Sequence, residues 1–133
     1  MTNIPEHAIS FPPLLQAKID FASAMLKNEG LAPIPEDYMA FLRQTDGAVM
    51  ADTEFYGCEA HVRQTYTYPS LLDANKALVK NNNEFPAGTL LVGTSMGGAL
   101  FYEPSRGYVM RSRFSLAPVA TFATFEQAMA ALC

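Results

Sequence analysis

The stretch "LLVGTSMGGALFYEP", Leu90 to Pro104, decides how this chain folds. Gly93, Ser95 and Gly97 fall on the G-x-S-x-G pattern of serine hydrolases. In that chemistry the serine sits on a sharp turn from a strand into a helix, whose free N–H groups help hold the oxyanion. Here the residues after the motif, "ALFYEP", are β-formers and read as a second strand. The alternative of a small hydrolase using Ser95 also lacks partners, because that fold places an acid and then a histidine after the serine, whereas His7 and His61 both precede it. A phosphate cradle fails too, since no lysine follows "GTSMGG" and no helix collects its N–H groups. The stretch is read as a hairpin, with Gly97 and Gly98 expected to supply the positive φ angles of a tight turn. No catalytic residue is assigned.

Working outward, "TLLVG", "ALFYE", "GYVMRSRF" and "PVATFA" are β-rich runs separated by glycine or proline turns, and together predict an antiparallel meander. Thr124 and Gln127 form a capping box, with Phe125, Ala128, Met129 and Leu132 as the apolar stripe of a closing helix. The first half is helical. Residues 1 to 13, with Pro5, Pro12 and Pro13, read as a loose arm. Leu15, Ile19, Ala22 and Leu26, with Phe21 and Met25 beside them, predict a helix over about residues 13 to 28 that stops at Gly30. "IPEDYMAFLRQTDG" predicts a second helix, with Pro35 in its first turn, Glu36 and Asp37 at the positive dipole end, Tyr38, Phe41 and Leu42 inward, and Gly47 as left-handed cap. A hairpin around Ala51 and Asp52 follows. Residues 58 to 69 read as a loop with some extended structure, and Ser70 with Asp73 starts a third helix carrying Leu71, Leu72, Leu78 and Val79 on one face until "NNN". Helices first, strands next and one last helix imply a single α+β domain, its mainly antiparallel sheet covered by helices on one face.

A chain of 133 residues that is 50% hydrophobic and 17% charged suits one ordinary core. No apolar run is long enough to span a bilayer, and the start "MTNIPEHAISFPP" has neither the basic nor the apolar region of a signal peptide, so a cytoplasmic protein is expected. A net charge of -4, with nine scattered Lys and Arg, argues against a nucleic-acid partner and favours a basic one if charge selects at all. Two cysteines are too few for a disulfide framework.

Cys58 and His61 make the C-x-x-H half of a zinc site, but the other half would have to come from His7 and Cys133 at the two ends. No metal and no cofactor are assigned. His61 is read as an exposed loop residue and Cys58 as a small buried one. Met25, Met39 and Met129 are read as core filler. Glu36, Asp37 and Asp73 are accounted for by helix starts. Asp46, Asp52 and Glu54 cluster around the first hairpin as loop acids, and Tyr66 and Tyr68 beside Pro69 are either exposed aromatics or packed edge residues. These five are the candidate partner-binding residues.

The order of these segments resembles the SUKH superfamily, the Smi/Knr-type domain. The resemblance rests on Pro35, Tyr38, Phe41, Leu42, Asp46 and Gly47 in the helix-to-stop segment, "FYG" at Phe55 to Gly57, then Pro86, Leu90, Leu91 and Gly93, Gly107 and Val109, and the closing "TFEQAMAAL". It covers residues 14 to 132. The chain departs from it at the glycine turn, which is often acidic in the family but is "SMGG" here. The resemblance implies a non-catalytic protein-binding module. Bacterial relatives commonly act as immunity proteins against polymorphic or contact-dependent toxins, often nucleases or deaminases, and fungal relatives as scaffolds in cell-wall regulation.

Overall fold

The computed structural model describes Ile4 and residues 8 to 133. A short strand β1 (Ile9–Ser10) precedes helices α1 (Gln16–Asn28) and α2 (Glu36–Leu42). Two hairpins follow, β2 (Ala48–Met50) with β3 (Thr53–Phe55) and β4 (His61–Arg63) with β5 (Tyr66–Tyr68), then helix α3 (Leu71–Asn81). The chain ends with strands β6 (Leu90–Thr94), β7 (Gly98–Glu103), β8 (Gly107–Ser112) and β9 (Pro118–Phe122) and helix α4 (Phe125–Leu132). Seven strands form one antiparallel sheet in the order β1-β2-β3-β6-β7-β8-β9, and β4 and β5 form a separate two-stranded sheet. The fold is α+β, with the expected meander in its second half.

The aromatic stripe read from the sequence becomes the core. Tyr38, Phe41, Phe55 and Phe125 are all buried. Their rings meet edge-on or tilted, Phe125 lying 4.9 Å from Tyr38, 5.0 Å from Phe41 and 5.2 Å from Phe55. Such geometry adds about 0.5–1.5 kcal/mol per pair beyond the burial itself. It fixes α2 and α4 on the face of the sheet that carries Tyr108. Asp37, expected only at a helix start, also joins these elements: Oδ1 accepts from the Tyr108 hydroxyl at 2.6 Å and Oδ2 from the Phe125 N–H at 2.8 Å. Here one carboxylate satisfies a first-turn donor of α4 as well as a buried phenol.

Helical cover is not confined to one face. Leu91 pairs with Phe101 and Thr94 with Ala99, the register shifting between Leu91 and Gly93. An extra residue at Val92 therefore puts Leu91 and Thr94 on the same side, opposite the Tyr108 face. Leu91 and Ala99 look toward Ala74 and Leu78 of α3, and Phe85, just after α3, meets Phe101 at 5.5 Å. Both sheet faces of this part are apolar, so both need cover.

Several sequence expectations change on contact with the tertiary structure. The arm is tied down where it is described: Ile9 and Ser10 pair with Val49 and Ala48, the Phe11 N–H donates to Thr45 Oγ1 at 2.8 Å, and Leu14 is buried. Residues 58 to 69 form a regular hairpin rather than a loop. On α1 only Ile19, Ser23 and Leu26 are buried, while Leu15, Phe21 and Met25 face outward, so Met25 is not core filler; Val79 of α3 is also exposed. α1 packs against α2 and α3, and its inner stripe is narrower than its apolar content suggests. Ser95 to Gly97 do form the hairpin turn, closed by the Ser95 N–H on the Gly98 carbonyl at 2.9 Å, but neither Gly97 nor Gly98 has positive φ. Gly98 is needed for space, since a Cβ there would lie 2.6 Å from Met110 Sδ and 3.0 Å from the Arg111 carbonyl. Gly47 does use its freedom, with φ +87°.

Candidate functional site

Asp46, expected as an exposed interface acid, is completely buried. It ends the turn after α2, where its own N–H donates to the Pro12 carbonyl at 3.1 Å. Its Oδ1 accepts from the Cys58 N–H at 2.6 Å, and Oδ2 accepts from the Glu59 N–H at 3.1 Å and faces His61 Nε2 at 2.7 Å. A buried carboxylate is tolerated only when its lone pairs are used, and these three partners use them. Gly57 makes room for the clamp: any Cβ on it would overlap the Asp46 backbone and carboxylate.

The clamp positions the β4–β5 hairpin. His61, expected as an exposed loop residue, is instead stacked flat on Phe11, centroids 4.5 Å apart and planes 10° from parallel. Phe11 in turn meets Tyr68 at 5.3 Å, and Tyr68 meets Tyr66 at 4.4 Å. From Asp46 outward, a continuous run of contacts therefore ends in Tyr66, which is 48% exposed, while Val62, paired with Thr67 on the hairpin's opposite face, is 71% exposed. Exposed aromatic and β-branched side chains on a projecting hairpin suit a protein contact.

Three of the remaining candidates meet here and one does not. Glu54 Oε1 accepts a long hydrogen bond, 3.3 Å, from the Tyr66 hydroxyl, and Tyr68 supports Tyr66 from behind. Asp52 lies at the exposed β2–β3 turn, where its Oδ1 accepts from the Thr53 hydroxyl at 3.4 Å and its charge acts on Cys133. No hydrogen bond or ring contact ties it to the hairpin among the described residues.

Burial pushes the Glu54 carboxyl above the usual carboxylate range, the Tyr66 hydroxyl offsetting this in part. Its Oε2 is buried with no hydrogen-bond partner among the described residues. Burial, with the Asp46 and Glu59 charges adding, pushes the Cys58 thiol up to about 12. A thiol held there is a poor nucleophile and a poor metal ligand. His7, the third residue of the hypothetical zinc set, lies outside the described residues. Among the described residues no group of three or more His, Cys, Asp or Glu is placed to share a metal ion, and no helix is long and apolar enough to cross a membrane. At Ser95 the motif runs strand, turn, strand, and its carbonyl accepts from Arg113 Nη1 at 3.2 Å.

Beside the hairpin, a groove of about 350 Å³ runs between α3 and the sheet. Leu91, Ala99, Leu78 and Leu116 line it, and Tyr56 and Thr94, whose hydroxyls are 2.9 Å apart, stand at its mouth. Glu54 lies directly across from Thr94 on the neighbouring strand. Cross-strand neighbours project on the same side, so Glu54 adjoins that mouth.

Sequence reading did not anticipate Phe11, His61 or Tyr56 as parts of this surface. No spacing links Phe11, Asp46 and His61, because their association depends on where the arm and the hairpin return in space. In comparisons with family models, curated proteins and solved structures, nothing matched this chain. The fold class shown is a single α+β domain built on a mainly antiparallel sheet. Its candidate site is a surface of one projecting hairpin, one under-satisfied carboxylate and an adjoining groove.

Proposed function

We propose that this chain is a SUKH-like, non-catalytic protein-binding module, acting as a cytoplasmic immunity protein that neutralises a polymorphic or contact-dependent bacterial toxin with a basic nuclease or deaminase domain. The observation that carries the binding reading is the exposed Tyr66–Val62 hairpin secured to the buried Asp46. A rigid aromatic anchor loses little conformational entropy on binding, which favours a contact surface of this kind. The acidic chain supports a basic partner, since complementary charge raises association rates and suppresses wrong partners. The segment order supports the SUKH resemblance and, through it, the immunity role.

Co-expression with the product of the adjacent upstream gene tests the proposal. Rescue of growth from a toxic neighbour, and its loss in a Tyr66→Ala, Val62→Asp double variant that remains folded, are expected. A non-toxic neighbour, or one that kills despite the intact chain, would overturn the immunity role.

A further inference from the structure

Helix α1 carries two apolar stripes, and the fold uses one of them. Ile19, Ser23 and Leu26 turn inward. About a third of a turn away, Lys18, Phe21, Ala22 and Met25 recur at i, i+3, i+4 and i+7 and make a second face. Phe21 is 61% exposed and Met25 41%, although both are large and apolar. With Ala17 and Ala22 they floor a groove of about 330 Å³ whose opposite wall is Cys58 and Glu59. Single exposed apolar side chains are ordinary, whereas a contiguous set along a groove marks a contact surface. The charges along this face say what covers it. Lys18 stands about one turn before Phe21, and Glu29 about one turn after Met25. Both are held only by exposed ion pairs, Lys18 Nζ 3.4 Å from Glu59 and Lys76 Nζ 3.6 Å from Glu29. Pairs of this kind contribute little and rearrange readily.

We propose that this chain forms a symmetric dimer through α1, the two copies of the helix lying antiparallel with Phe21 of each against Met25 of the other. A twofold axis across the helix between these residues makes the contact twice, and a thioether against an aromatic ring is a favourable pairing. The same axis brings Lys18 of one copy level with Glu29 of the other, at both ends of the seam. Glu59 and Lys18 of one copy then continue into Glu29 and Lys76 of the other as a line of alternating charge. Parallel helices would instead oppose Lys18 to Lys18 and Glu29 to Glu29, and would align the two helix dipoles. The charge order of this face thus fits a second copy of itself in one orientation. Ala17 and Ala22 leave room for the two helices to approach. An apolar centre of this size with a charged rim suits a weak, reversible dimer. The hairpin carrying Tyr66 takes no part, so the dimer stands or falls apart from the protein-binding reading.

Sedimentation velocity of the full chain, from about 5 to about 500 µM, tests this. A monomer–dimer equilibrium with a midpoint on the order of 100 µM is expected. Phe21→Asp combined with Met25→Asp, both at exposed positions, is expected to leave monomer at every concentration with an unchanged circular dichroism spectrum. Charge reversal tests the orientation. Lys18→Glu and Glu29→Lys, each alone, set like charges against each other at both ends of the seam and are expected to weaken self-association at least about tenfold. An equimolar mixture of these two single variants restores both opposite-charge contacts and is expected to associate more tightly than either variant alone. Lys18 and Glu29 are exposed, so the reversals keep the fold and remain readable if the aspartate pair does not fold. A native chain that stays monomeric at the highest concentration would overturn the α1 dimer. So would a dimer that survives the aspartate pair or the single reversals, or a mixture that associates no better than its components.

Discussion

Asn75 on α3 replaces a missing strand for Leu91 on β6. Its Nδ2 donates to the Leu91 carbonyl at 2.9 Å while its Oδ1 accepts from the Leu91 N–H at 2.8 Å, so one side-chain amide reproduces both bonds of a strand neighbour. Nδ2 also donates to the Leu71 carbonyl at 2.8 Å. β3 pairs with β6 only as far as Gly93, after which α3 takes the adjacent place. Asn75 is fully buried and covers the edge that this substitution opens.

Asn75→Leu is therefore expected to cost about 3–4 kcal/mol, because it orphans the buried N–H and carbonyl of Leu91. Urea unfolding at 25 °C measures it. A loss below about 1 kcal/mol would show that the edge is satisfied in another way.

Removing the Asp46 clamp has a more local consequence. Asp46→Ala leaves the Cys58 and Glu59 N–H groups without their acceptor, and hydrogen exchange should accelerate most across residues 57 to 68, with a global loss of about 2–4 kcal/mol. Uniform acceleration throughout the sheet would mean that the clamp holds the whole fold rather than the hairpin.

Gly57 and Gly98 should respond differently to alanine. At Gly57 the added Cβ meets backbone of Asp46, which has no room to move, and loss of the folded state is expected. At Gly98 the nearest atom is the flexible Met110 sulfur, so Gly98→Ala should cost only about 1 kcal/mol. Thermal unfolding of both variants orders them.

Glu54 makes stability pH-dependent. Its carboxyl is raised in the folded state, so its neutral form is the one the fold favours. That contribution is full below the ordinary carboxylate value and is lost as pH rises through the raised one. Glu54→Gln should thus raise Tm at pH 7 by about 3 °C, with the advantage vanishing near pH 4. An equal effect at both pH values would exclude ionisation as its cause.

Cys58 should resist alkylation. With its thiol near 12, only about one molecule in ten thousand carries the thiolate at pH 8. Iodoacetamide at that pH should modify native Cys133, which is exposed, well before Cys58, and both equally in denaturant. Rapid native modification of Cys58 would show that its cover opens.

Local patterns carried much of the fold. The Tyr38, Phe41 and Leu42 stripe, the Ser70 and Thr124 caps and the four β-rich runs all express interactions within a few residues, and such interactions survive in a bare sequence. Ser70 Oγ accepts from the Asp73 N–H and Thr124 Oγ1 from the Gln127 N–H, as the capping patterns predict. The candidate site was half legible: Glu54, Tyr66 and Tyr68 come together, whereas Asp46 went inside and Asp52 lies apart.

What decided those outcomes was long-range satisfaction of polar groups. A loop aspartate reads as exposed until the chain returns two backbone N–H groups and a histidine to it, and Asn75 reads as an ordinary helix-face amide until an unpaired strand edge arrives beside it. The sequence by itself determined an α+β domain with an antiparallel meander, because β-propensity, turn residues and helix caps act locally. Only the tertiary structure decided which carboxylate is buried and paired and which is left with an unpartnered oxygen, because hydration is lost or kept according to neighbours that are remote in sequence.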